Sequence, residues 1–236
     1  MKRQPQYMPG GNVPPSFAGQ HPARRLPTFY ARAVTTPQPH VFAQAAEYAR
    51  WSLVWIQLVL LLIIPAALGL LRSVLRDTSS GIDTRSNVFF GFMDVLTVGA
   101  TIAAFGLKVV FVPLLFFVGA ALQYLLARAF GGHGRFVSHC FDMLLYQVPL
   151  AFIGALIITV FVALHFSTLF FAPIISVALF FYGIFVNTSV VMGVHGLNRE
   201  KSIITVAIPY ILGVMAVCGL LAVLAHSIAN MLHMAH

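Results

Sequence analysis

A chain of 236 residues with 59% hydrophobic and 8% charged residues cannot hide its apolar surface in water, where domains carry roughly 25% charged residues. That composition excludes a soluble globular fold, and the lack of two-residue apolar/polar alternation excludes an outer-membrane barrel. Of the 14 Lys and Arg residues behind the net charge of +8, six precede the first apolar run, where they suit anionic lipid headgroups; no aromatic-interleaved basic motif points to nucleic acid.

Residues 1–40 are rich in Pro and Gln with scattered Arg and are expected to be a disordered, basic cytoplasmic tail. Such a tail is either a solvated arm or a partner-binding peptide with Pro14-Pro15 and Arg24-Arg25 as handles. Residues 41–50 are helix-forming and predict an interfacial helix leading into the membrane. A five-span membrane domain occupies residues 51–225, and residues 226–236 form a short extracytoplasmic tail.

The first span, Trp51 to Leu71, is bracketed by Arg50 and Arg72 and carries Trp51 and Trp55 where an aromatic belt lies. Between Asn87 and Arg128 the residues Asn87, Asp94, Thr101 and Lys108 recur every seven positions, one polar stripe on a helix. A straight helix over that whole stretch would be about 60 Å long, twice the hydrocarbon thickness. A break near Gly106 or Pro113 is therefore predicted, with an amphipathic helix over 87–107 and the second span over 109–127. Further spans follow at 143–164, 169–194 and 203–225. The fold class is all-α: a polytopic bundle of five transmembrane helices plus an amphipathic helix before the second span. Lys and Arg concentrate in the tail and in the turns at 128–142 and 195–202, which places the N-terminus inside and the C-terminus outside.

Those two turns are the polar, glycine-bearing breaks of the apolar half. Gly131, Gly132, His133, Gly134 and Arg135 form one; His195, Gly196, Arg199 and Lys201 belong to the other. Two readings stand side by side. The glycines let backbone approach a partner or take positive φ while the cations meet a protein or lipid, or the residues only make tight turns and fix orientation. Pro149 and Pro209, each shortly inside a span entering from the cytoplasm, either kink their helices or mark a cavity. His133, His139, Cys140 and Asp142 are close in sequence, as are His226, His233 and His236, but neither group has closed-zinc spacing. Asn187, inside a span, suits an interhelical hydrogen bond better than glycosylation. Ion-coupled transport needs an ionisable group buried at mid-membrane, and the five spans proper are expected to hold none, with Asp142 at a cytoplasmic end. No catalytic constellation and no cofactor motif is present, so no enzyme activity is expected.

The turn sequences Gly131-Gly132-His133-Gly134-Arg135-Phe136 and His195-Gly196-Leu197, followed by Arg199-Glu200-Lys201, together with Tyr146, Pro149 and Pro209, resemble the Yip family. These are Ypt/Rab-interacting-protein-like membrane proteins with a cytoplasmic N-terminus and five spans, and the similarity covers roughly residues 51–225. For eukaryotic members the resemblance implies vesicle traffic, membrane shaping and Rab-type GTPase binding. Their Asp-Leu-Tyr-Gly-Pro signature is missing here, so the resemblance does not extend to GTPase binding, and the chain looks more like prokaryotic members. The expected function is a non-enzymatic, membrane-organising or protein-association module acting through its cytoplasmic turns and basic tail. Its expected partners are anionic headgroups, a membrane protein or a second copy. The alternatives are a small-solute transporter or channel, and an accessory subunit of a larger membrane complex. The expected location is the bacterial cytoplasmic membrane, or an endomembrane in a eukaryote.

Overall fold

The computed structural model describes residues 26–79, 88–166 and 168–234, and among them every regular element is helical. In chain order these are α1 (Leu26–Thr35), α2 (Pro39–Ala46), α3 (Trp51–Ser79), α4 (Val88–Ala129), α5 (Phe136–Ala163), α6 (Thr168–His195) and α7 (Arg199–Met234). Each of α3 to α7 contains a stretch long and apolar enough to cross a bilayer: 51–73, 105–129, 136–163, 170–195 and 199–227. The chain is a multi-pass membrane helix bundle. One proline lies inside each of the five, and every helix continues through it.

Three expectations change. The break predicted near Gly106 or Pro113 is absent, because α4 runs unbroken for 42 residues, about 63 Å at 1.5 Å per residue. A helix longer than the bilayer is thick need not end at its boundary; the excess extends past it, so 87–107 is not a separate amphipathic element.

Residues 26–35, placed in the disordered tail, form α1 instead, and α2 packs one face against the bundle while His40 and Gln44 stay exposed. Leu26 and Ala33 of α1 and Val41, Phe42 and Ala45 of α2 are buried. Pro39 stands at the start of α2, where its missing N–H is no loss. The Tyr182 hydroxyl on α6 donates to the Val34 carbonyl, and Ser138 Oγ on α5 donates to the Ala46 carbonyl at 3.2 Å. Gly193 completes the seat: a Cβ there would meet the Pro39 carbonyl and Phe42 Cβ. Pro14-Pro15, Arg24-Arg25, Asn87 and His236 lie outside the described residues.

The third correction concerns α5, which begins at Phe136 rather than Met143. His139 and Asp142 therefore sit in the first two turns of a spanning helix, both fully buried, and the expectation that the spans proper hold no ionisable side chain fails. They are covered because the main core gathers around the first three turns of α5. Cys140, Phe141, Leu144, Leu145 and Tyr146 pack there with Phe42 of the N-terminal arm that α1 and α2 form, Leu53, Val54 and Leu58 of α3, and Val186 and Val190 of α6. Farther along, large apolar side chains such as Phe170, Ile174 and Phe181 of α6 and Ile211, Met215 and Val217 of α7 are exposed. In a bilayer such faces meet lipid tails at no cost.

Candidate functional site

The turns following α4 and α6 lie on the same side of the bundle and touch. The His133 N–H donates to the His195 carbonyl at 3.3 Å, and Lys201 Nζ donates to the Phe130 carbonyl at 3.1 Å. Each preceding helix ends on a glycine: Gly131 has φ 92° and Gly196 φ 67°, the left-handed geometry that closes a helix C-terminus without a Cβ clash. Asn198 opens α7 by accepting from the Lys201 N–H at 3.1 Å, which satisfies one donor of its first turn.

Gly132 and Gly134 act between the turns. A Cβ on Gly132 would lie 2.8 Å from His195 Cβ, and one on Gly134 would lie 2.7 Å from the Val194 carbonyl oxygen and 2.9 Å from His195 Nδ1. Their missing side chains admit α6 to the first turn; Gly132 is itself buried.

Below this contact the rings of His139 on α5 and His195 on α6 meet edge to face, with centroids 5.1 Å apart and Nδ1 of His139 3.3 Å from Nε2 of His195. One ring must present its N–H and the other its lone pair, so the pair fixes opposite roles on two helices. Tyr124 of α4 packs against both rings, with centroids 6.5 and 5.7 Å away. Arg128 lies over the Tyr124 ring and donates from Nε to its hydroxyl at 3.1 Å. His139 Nε2, His195 Nδ1, both Asp142 oxygens and Ser202 Oγ are buried without a hydrogen-bond partner.

Of the residues singled out by sequence, His133, Arg135, Gly196, Arg199 and Lys201 are exposed on this side, with Glu200 among them, while His195 is buried at 2% exposure. Among the described residues no group of three or more His, Cys, Asp or Glu side chains is placed to hold a metal ion. Pro149 is half-buried within α5. Pro209 lines a cleft of about 590 Å³ between α4 and α7, closed behind by Leu61 of α3, Met143 and Gln147 of α5 and Phe180 of α6, which Pro149 does not reach. Tyr124 and Arg128 were not singled out by sequence, since neither belongs to a motif. Asn187 makes the interhelical bond expected of it: its Nδ2 donates to Gln123 Oε1 at 3.1 Å, buried between α6 and α4.

Five apolar helices, with two glycine–histidine turns joined at one end, define a multi-pass integral membrane protein of the Yip type. The Yip1 domain model matches residues 34–221, and the chain belongs to that family. No curated protein and no solved structure matches it.

Proposed function

We propose that this protein is a non-enzymatic association module of a membrane, most simply the bacterial cytoplasmic membrane, whose joined turns form the contact surface for another membrane protein. The observation carrying this reading is the pair of bonds from His133 to His195 and from Lys201 to Phe130. Turns that only reversed the chain would not need to be fastened to each other. Fastened, they hold Arg135 and Arg199 on one exposed surface, in the fixed geometry that charge-assisted recognition uses. The positive-inside tendency puts this surface, the arm and the N-terminus in the cytoplasm.

Affinity purification from mild detergent, wild type against Arg135→Glu with Arg199→Glu at matched membrane abundance, tests the reading. Both residues are exposed and neither makes the inter-turn bonds, so the variant keeps the fold. A stoichiometric partner retained by wild type and lost by the variant is expected; an identical set of co-purifying proteins would end the proposal. A solute path is the weaker reading, because the cleft beside Pro209 is walled mainly by apolar side chains.

A further inference from the structure

We infer that the cleft between α4 and α7 is a binding site for one anionic phospholipid, with an acyl chain between the helices and the phosphate at the turn-side end. Val112, Leu115 and Phe116 of α4 and Val214 and Val217 of α7 make its walls apolar. Its volume of about 590 Å³ falls within the roughly 300–1,000 Å³ typical of ligand sites. Along α4 it runs from Val112 to Gln123, about 16 Å at 1.5 Å per residue, close to half of a hydrocarbon core about 30 Å thick. A groove one leaflet deep fits a single acyl chain.

Polarity along the cleft is graded in the same sense. Gln123, Gln147 and Tyr210, the polar lining groups, lie toward the turn-side half, where lipid ester carbonyls can accept from their amide and hydroxyl groups. Beyond them the two wall helices carry exposed cations, Arg128 near the end of α4 and Arg199 and Lys201 at the start of α7, against one exposed acid there, Glu200. Each cation near a membrane surface adds to the attraction for anionic lipid. A second copy of the chain would fill apolar walls equally well but would not call for donors and cations at one end only.

The walls also supply a test that spares the core. Gly119 on α4 and Gly213 on α7 face the cleft, and a Cβ on either meets nothing within 4 Å. Gly119→Leu with Gly213→Leu therefore starts each side chain from open space, projects it into the cleft and leaves Arg135 and Arg199 in place, so failure here is distinct from failure of the association surface. Native mass spectrometry of the full chain, with phosphatidylglycerol or phosphatidylcholine of the same acyl chains, reads occupancy.

Wild type is expected to retain one phosphatidylglycerol, preferred by roughly tenfold or more. The leucine variant should lose it, and Arg128→Gln with Arg199→Gln should keep lipid but lose the preference. Equal retention by wild type and the leucine variant overturns the site, as does a lipid-free dimer that the leucine variant abolishes. Should that variant not fold, photoreactive-acyl phosphatidylglycerol on wild type decides. Labels confined to the residues that line the cleft support the site, and labels spread over every exposed apolar face refute it.

Discussion

His139 and His195, 56 residues apart in the chain, place Nδ1 and Nε2 3.3 Å from each other in the interior. The contact ties the first turn of α5 to the last residue of α6 directly beneath the two joined turns. A hydrogen bond contributes about 0.5–1.5 kcal/mol net, and a double-mutant cycle isolates that share. Single His139→Phe and His195→Phe variants should each lower the melting temperature in detergent, with the double variant less affected than their sum. Strictly additive losses would mean the rings are neighbours without a shared bond.

Gly134 is the tighter of the two close approaches. Its added Cβ would press on backbone, the Val194 carbonyl oxygen at 2.7 Å, which cannot rotate away. Gly134→Ala should destabilise the protein by about 1–3 kcal/mol, the range for overpacking. Gly119→Ala, with nothing within 4 Å of its Cβ, is the matched control, and equal melting temperatures for the two would remove the tight contact.

The arm is held by the gap at Gly193. Gly193→Ala, which sets a methyl against the Pro39 carbonyl and Phe42, should loosen α1 and α2, and tryptic cleavage at exposed Arg32 or Arg50 should then quicken severalfold. Gly183→Ala on the same helix meets its nearest atoms at 3.9 Å and should leave cleavage unchanged. Cleavage equally fast in wild type and both variants would show that the arm is not docked.

The Gln123–Asn187 bond is buried on both sides, at 4% and 0% exposure, and joins α4 to α6. Interhelical side-chain bonds in membranes average about 0.6 kcal/mol. Asn187→Leu alone strands the Gln123 carbonyl, whereas Gln123→Leu with Asn187→Leu leaves no orphan. The double variant should therefore melt above the single, and the reverse order would contradict the bond.

The five spans were legible because runs of about 20 uncharged residues have one reading in a chain this poor in charge. The turns were legible because glycine, histidine and cations interrupt those runs. The arm was missed although it carried a signal: Leu26, Phe29, Tyr30 and Ala33 follow the i, i+3, i+4, i+7 spacing of an apolar helix face, masked by the surrounding prolines. The unbroken α4 was missed because bilayer thickness limits only the part of a helix inside the hydrocarbon, not the helix itself. Asp142 was placed outside its span because hydropathy starts a span after the last charge; only the packing of α3, α6 and the arm around α5 reveals the carboxyl as interior. The meeting of His139 with His195 had no sequence signal, since it depends on how α5 and α6 pack.

That the turns form one cytoplasmic surface is most directly tested by cross-linking. His133→Cys with Asn198→Cys, both exposed positions, are introduced with Cys140→Ala and Cys218→Ala, and a protease site is inserted at Phe166 between them. A short, membrane-impermeant bismaleimide is then applied to sealed vesicles of each orientation. The halves should stay joined after cleavage only when the reagent reaches the cytoplasmic face. Halves that separate from both faces although each cysteine is labelled, or that are joined only from the opposite face, would contradict it.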